Sequence, residues 1–179
     1  QNLMKTKTET ILTITKVLTW IVFIGLCIKT GALIVSFFVS LFVNPIAAQD
    51  LYLGLDLSSV QEYGQWHYIC SVSLLIFFTG LKAYLAYLVI KIFLKFNLEN
   101  PFSPEVAKLI DCIAQTALTA GIFAIIAGGY SKWLGKNGLS AISSWDGGSE
   151  FLFLAGIIFI IAQVFKKGIE LKSENELTI

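Results

Sequence analysis

Two lysines inside apolar runs are the side chains of this sequence with the clearest potential for chemistry. Lys29 lies near the middle of the run 18–43, and Lys82 lies within the run 68–94. A charged group deep in a membrane span costs about 2.5–3.5 kcal/mol on insertion scales, so it is normally paired or faces a cavity. The two lysines could therefore line a site between helices for an anion, a lipid headgroup or a peptide. The alternative is that their long side chains snorkel, are hydrated, or pair with Asp111.

A short polar stripe in the third apolar run is the second candidate. Asp111 and Gln115 are four residues apart, so they share one face of a helix. With Lys29 and Lys82 they form the predicted set of ligand-binding or ion-binding residues. The stripe could guide protons or ions, although a relay would need a second deep acid. Hydrogen bonding between helices is the alternative explanation.

The other reactive side chains form no recognisable catalytic or metal-binding set. The single histidine, His67, stands between Trp66 and Tyr68, which is typical of an aromatic belt at a membrane interface. The three cysteines lack the spacing of a metal site. The sequence has no nucleophile–base set, phosphate-binding glycine loop or paired carboxylates. We therefore expect no enzyme activity, no metal and no cofactor.

These side chains must be positioned by membrane helices. Hydrophobic residues make up 56% of the chain and charged residues 14%, which is outside the usual range for a soluble domain. A span needs about 20 apolar residues. The sequence predicts an all-α membrane protein, a four-helix transmembrane bundle whose two outer loops form a small cap. Residues 1–179 form a single domain, with spans at approximately 18–43, 68–94, 107–128 and 151–165.

The lysines also predict the orientation in the membrane. All 13 basic residues are lysines, and nine of them fall in the two tails and the middle loop, or at the helix ends beside them. Lysine enrichment marks the cytoplasmic side, so both termini are predicted to be cytoplasmic. A net charge of +1 without a dense basic patch gives no indication of direct nucleic-acid binding.

Two loops carry local signals. In the middle loop, Ser103 is a predicted N-cap, with Pro104 at the first helical position and Glu105 in the first turn. In the first outer loop, the partly alternating segment 51–57 predicts an extended strand or an amphipathic surface segment.

The middle loop and the tail carry a resemblance. Glu99-Asn100-Pro101-Phe102 before the third helix, and a last helix that leaves through 166–171 and ends with 174–179, resemble a bacterial membrane family. That family is known only as domain of unknown function 2975. The resemblance implies a four-pass protein of the bacterial inner membrane, often encoded beside a small helix-turn-helix regulator. It implies no catalytic residues.

These observations lead to three functional hypotheses. The first is a non-enzymatic sensor or regulatory protein whose cytoplasmic loop and tail bind a protein partner, such as a small DNA-binding regulator. The second is a small transporter or channel component that uses Lys29, Lys82 and Asp111 and forms a homo-oligomer, since four helices leave little room for a pore. The third is an accessory or lipid-binding subunit of a membrane complex. The predicted partner-binding residues are Asn100, Pro101, Phe102, Glu170, Glu174, Asn175, Leu177 and Ile179.

The end of the tail is apolar, which is unusual for a free chain end in water. We therefore expect residues 177–179 to dock on a partner, or on the chain's own middle loop near Pro101 and Phe102.

Overall fold

A computed structural model describes residues 2–96, 102–139, 142, 145 and 148–176, with side chains from residue 9 to residue 174. Over these residues the regular structure is entirely helical. A short 3₁₀ helix, Pro45–Gln49, follows the first long helix. The α-helices are α1 (Asn2–Phe42), α2 (Ser58–Tyr63), α3 (Gln65–Lys95), α4 (Pro104–Lys136) and α5 (Gly148–Glu176).

Four of these helices, α1, α3, α4 and α5, are long and apolar enough to cross a membrane. The prediction of an all-α chain with four candidate spans is therefore confirmed. The helices are longer than the apolar runs that predict them. The 33 residues of α4 correspond to a length of about 50 Å at 1.5 Å per residue, more than the roughly 30 Å of a bilayer core.

The long helices pack on one another in chain order. Among the described residues, α1 packs extensively on α3, α3 on α4, and α4 on α5. We call the end at which α1 and α4 begin and α3 and α5 end the terminal side, and the opposite end the loop side. α1 therefore stands at the edge of the arrangement, with α3 as its main helical partner.

The face of α1 that meets α3 is a narrow stripe. Leu33 and Ser40, which are seven residues apart and so share one face of the helix, are buried on this stripe. Large apolar side chains such as Ile21, Ile28 and Val35 are exposed. Because lipid is as apolar as these side chains, a membrane helix can leave them uncovered by protein. Most of the surface of α1 is thus suited to contact with lipid.

The helices α4 and α5 approach each other closely. A Cβ atom on Gly121 would lie 2.9 Å from Leu152 Cγ and 3.0 Å from the carbonyl oxygen of Gly148. A Cβ on Gly148 would lie 2.9 Å from Ile125 Cγ1. Buried alanines, including Ala117 on α4, continue the same face. Small residues allow this close approach, as is common between membrane helices.

The loop side contains the larger of the two hydrophobic clusters. Leu51 and Leu57 of the first outer loop and Trp145 of the second pack in it with Tyr68 of α3. The Tyr68 hydroxyl hydrogen-bonds to Ser40 Oγ at 2.5 Å, which links α3 to α1. The predicted cap made by both loops stays a prediction, because much of 140–147 lies outside the described residues.

The alternating segment 51–57 does not form a strand; the prediction of a strand is wrong. Its backbone folds on itself, since the Leu51 amide donates to the Leu55 carbonyl at 2.9 Å and the Leu55 amide to the Tyr52 carbonyl at 3.1 Å. The alternation reflects burial instead: Leu51 and Leu57 are buried, while Leu53 is exposed.

Candidate functional site

Lys29 and Lys82 lie at similar levels of α1 and α3, between the Ser40–Tyr68 hydrogen bond and the contact of the Phe23 and Tyr87 rings, whose centres are 6.0 Å apart. Both lysine side chains are half-buried. Within the described part of the chain, neither ammonium group forms an ion pair with a carboxylate. The structure therefore brings together two of the predicted site residues, and it does so with like charges.

The ammonium groups of both lysines lie near aromatic rings. Lys82 Nζ lies 4.2 Å from the ring centre of Phe78 and 5.8 Å from that of Phe151. Lys29 Nζ lies 5.8 Å from the ring centre of Tyr52. A cation over an aromatic face gains about 0.5–1 kcal/mol when exposed and about 2 when desolvated. That is less than the roughly 2.5–3.5 kcal/mol cost of a lysine deep in a span, so the positive charge remains only partly compensated.

A cavity of about 310 Å³ opens beside Lys29. Its walls are Leu33 on α1, Leu75 on α3 and the turn 52–55 of the first outer loop. The loop thus folds back onto the pair of helices and covers the lysine from the loop side. The cavity combines one cationic group with leucine side chains and with the residues of the turn.

The turn 52–55 has an unusual backbone. Leu53 and Gly54 both have positive φ values, 49° and 82°, as in a type I′ turn. The left-handed conformation costs a non-glycine residue about 1–2 kcal/mol. Asp50 Oδ1 accepts a hydrogen bond from the Gly54 amide at 2.9 Å and helps to hold the turn. The strained Leu53 side chain is 86% exposed, so it protrudes at the edge of the cavity without packing on the core.

Asp111 and Gln115 lie elsewhere. Asp111 Oδ1 is 3.5 Å from Lys166 Nζ on α5, and Gln115 Nε2 donates to Asp111 Oδ2 at 3.4 Å. The structure does not pair Asp111 with Lys82. Along α5, Lys166 is 15 residues from Phe151, the residue that meets Lys82, which corresponds to about 22 Å. The polar stripe of α4 therefore links α4 to α5 near the terminal side.

The start of α4 follows the prediction. Ser103 is its N-cap, and Ser103 Oγ accepts a hydrogen bond from the Val106 amide at 3.3 Å. Pro104 occupies the first helical position and Glu105 the first turn. Glu105 also reaches back to the end of α3, where it lies 3.0 Å from Lys95 Nζ.

Phe102 docks on the last part of α5. Its ring centre is 5.3 Å from that of Phe165, and a Cβ on Gly168 would lie only 2.7 Å from Phe102 Cδ1. Only a glycine at 168 leaves room for the ring in this position. Phe102, which precedes α4, and the last part of α5 therefore form one continuous surface.

The other predicted partner-binding residues are only partly described. Glu170 lies 2.6 Å from Lys167 Nζ, and Glu174 is exposed near the end of α5. Of the remaining five, Asn100, Pro101, Leu177 and Ile179 lie outside the described residues, and the side chain of Asn175 is not described. The docking of residues 177–179 therefore stays a prediction.

His67 belongs to an aromatic cluster at the loop side. His67 Nδ1 hydrogen-bonds to the Tyr130 hydroxyl at 2.7 Å, and its ring centre lies 5.6 Å from that of Trp133. The described residues contain no group of three metal-ligating side chains. This cluster joins α3 to α4.

Several residues of these sites were not predicted from the sequence, among them Tyr52, Phe151 and Lys166. Lys166 has a detectable signal, because it closes the apolar run of α5 as Asp111 opens that of α4. Tyr52 and Phe151 carry no such signal. The contact of Tyr52 with Lys29 depends on the position of the first outer loop against the helices, and the contact of Phe151 with Lys82 depends on the level at which α5 begins.

The fold defines the class of protein: an all-helical, multi-pass membrane-type chain. A family model described as protein of unknown function (DUF2975) matches residues 58–179, so the chain belongs to this family. The expected membership is confirmed. The matched part comprises α2 to α5, while α1 and the turn over Lys29 precede it. No curated protein and no solved structure matches the chain.

Proposed function

We propose that this chain is a non-enzymatic regulatory or sensor protein of the bacterial inner membrane, and that its terminal-side surface binds a cytoplasmic protein partner. The observation that carries the proposal is the docking of Phe102 against Phe165 and Gly168. Phe102 and Phe165 are 63 residues apart in the sequence. Their contact places the residue before α4 and the last part of α5 on one surface, which a partner could recognise as a unit.

The composition of this surface supports the proposal. α5 continues for ten residues beyond Lys166, to Glu176. This segment carries exposed charges, with an ion pair between Lys167 and Glu170. A charged helix of this kind is suited to water, whereas a segment that only anchors to anionic lipid would be rich in lysine. The lysines around it favour the cytoplasmic side.

The transport hypothesis has less support. Lys82 and Asp111 contact levels of α5 that are about 22 Å apart along the helix axis. Asp111 is already paired with Lys166. A transport path would have to connect these residues through further copies of the chain. The lipid-binding hypothesis is supported by a single observation, the cavity beside Lys29.

The chemistry of the partner follows from the surface. A mixed-charge helix with an aromatic ring beside it fits a small helical protein, and the family resemblance suggests a helix-turn-helix regulator. Gly168→Ala tests this, because the new Cβ would displace Phe102 while adding only one methyl group. Gly156→Ala is the matched control on the same helix, since nothing lies within 4 Å of a Cβ there.

The measurement is a bacterial two-hybrid assay between the full chain and a small helix-turn-helix regulator of the kind that the family resemblance suggests. We expect the wild type and Gly156→Ala to give equal signals and Gly168→Ala to lower the signal at least about tenfold, the effect of losing a contact worth 1.4 kcal/mol. Because the reporter is cytoplasmic, a signal also requires the predicted orientation. Equal signals from both variants, or no signal from the wild type, would contradict the proposal.

A further inference from the structure

We propose that two copies of this chain associate in the membrane through one exposed face of α4 and α5, and that Gln115 of each copy hydrogen-bonds to Gln163 of the other. This contact goes beyond the proposed function, because it lies within the spans and involves neither Phe102 nor Gly168. We call this surface the carboxamide face. Its members are Asp111, Gln115 and Leu118 of α4 and Phe159, Gln163 and Lys166 of α5.

The ion pair between Asp111 and Lys166 shows how α4 and α5 align on this face. Gln115 follows Asp111 by four residues and Gln163 precedes Lys166 by three, and residues at these spacings lie on the same side of a helix. Because α4 and α5 run in opposite directions, both glutamines lie about one helical turn from the ion pair toward the loop side. The two carboxamides are therefore at one level of the bundle, on neighbouring helices.

The two carboxamides lack good hydrogen-bond partners. Gln115 and Gln163 are both exposed, within helices that are long and apolar enough to cross a membrane. Among the described residues, Gln115 Nε2 donates one long hydrogen bond, 3.4 Å to Asp111 Oδ2, and the Gln163 side chain has no partner. Hydrocarbon offers an amide nothing to bond to, so an unpaired carboxamide there favours a protein neighbour.

A groove of about 320 Å³ lies beside Gln115, between α4 and α5. The buried Ala114 and Ala155 line it together with the exposed Leu118 and Phe159. Small side chains allow a helix of a neighbouring molecule to approach closely. The carboxamide face thus combines a recess with protruding apolar side chains, which a surface that binds its own copy requires.

The chemistry of the face favours a second copy as its occupant. A carboxamide both donates and accepts hydrogen bonds, so one glutamine is complementary to another. Asp111 and Lys166 neutralise each other on the face. Lys108, which is exposed three residues before Asp111, can extend its long side chain to the headgroup layer.

Symmetry gives the pairing. A twofold rotation about the membrane normal keeps every residue at its own level and brings α4 of one copy to α5 of the other. Gln115 and Gln163 share a level, so each pairs with the other kind across the contact, and the pair occurs twice. Four carboxamides then meet at one level of the membrane.

The experiment measures self-association of the full chain in phosphatidylcholine vesicles. Chains labelled at the N-terminus with a donor or an acceptor dye are reconstituted together over a range of protein-to-lipid ratios, and energy transfer gives the dissociation constant. The variants are Gln115→Leu and Gln163→Leu, which remove the carboxamide at similar side-chain size. Thr15→Val is the matched control, because it removes an exposed polar group of α1 that bonds within its own helix, to the Ile11 carbonyl at 2.9 Å.

We expect wild type and Thr15→Val to dimerise with equal dissociation constants. Gln115→Leu and Gln163→Leu should each raise the dissociation constant on the order of tenfold, because in a twofold contact each substitution removes both glutamine pairs. Circular dichroism should show unchanged helix content, since both side chains are exposed.

A mixture of the two variants tests the pairing itself. A Gln115→Leu chain that faces a Gln163→Leu chain keeps one complete glutamine pair and places the two leucines together. This mixed dimer should therefore be tighter than the dimer of either variant with itself, and a mixed dimer that is no tighter would show that the crossed pairing is wrong. Absence of energy transfer in the wild type, or equal dissociation constants for wild type and both folded variants, would overturn the proposal.

Discussion

The contact between α4 and α5 and the contact between α1 and α3 are built from different kinds of side chain. The first is made by small residues such as Gly121 and Gly148, which bring the two backbones close together. The second is made by large side chains and includes Lys29 and Lys82. The first contact is therefore closely packed, whereas the second leaves a cavity beside Lys29.

The division coincides with the extent of the family match. The matched residues 58–179 contain both helices of the close contact, but only one of the two helices that carry the lysine pair. The contact between α1 and α3 thus depends on α1, and the cavity beside Lys29 on the turn 52–55, both of which lie before the matched part.

Gly121→Leu should have the largest effect, because it tests the contact that we regard as structural. The new side chain would meet Leu152 and the Gly148 carbonyl oxygen, both within 3.0 Å of its Cβ. Overpacking of this kind typically costs about 1–3 kcal/mol. Thermal unfolding in detergent should show the loss, with Gly129→Leu as the control, since nothing lies within 4 Å of a Cβ at Gly129. Equal thermal stabilities of Gly121→Leu and Gly129→Leu would mean that α4 and α5 can move apart without cost. The close contact between these helices would then not be the structural one.

Tyr68→Phe tests the contact between α1 and α3. It removes the hydroxyl that bonds to Ser40 at 2.5 Å, a buried link between α1 and α3. Ser40 keeps its bond to the Phe37 carbonyl at 2.8 Å, so the expected loss is only about 0.5–1.5 kcal/mol. Unfolding measured as for Gly121→Leu checks this, with Tyr84→Phe, an exposed tyrosine of α3, as the control. A loss larger than that of Gly121→Leu would reverse the assignment of the two contacts.

Asp111→Asn should have the smallest effect. The ion pair with Lys166 is partly exposed and 3.5 Å long, and pairs of this kind contribute about 0–1 kcal/mol. Stability should therefore change little, and less at high salt than at low salt, because salt screens exposed charges. A large loss of stability at every salt concentration would show that the Asp111–Lys166 pair is itself a structural contact, comparable to those between α4 and α5 and between α1 and α3.

The sequence predicts the fold better than the sites, and particular residues show why. The four spans follow from local hydrophobicity, and the Ser103 cap follows from residue types within one turn. The partner of Asp111 depends instead on the vertical offset between α4 and α5. The contact of Lys82 with Phe151 depends on α5 beginning well below the loop-side ends of its neighbours. Such offsets between helices are set by the packing of their side chains. The periodicity of hydrophobic residues along the sequence contains no information about them.

The edge position of α1 has a consequence for how the chain enters the membrane. Of the four spans, α1 has the highest mean hydropathy and the smallest share buried in protein. A segment of this kind is inserted stably on its own, before any later helix is synthesised. The narrow stripe of α1 that holds Leu33 and Ser40 then remains uncovered until α3 has been inserted. The two lysines Lys29 and Lys82 are brought to the same level of the bundle only at that later stage, so the half-burial of both follows the entry of the helices into the membrane.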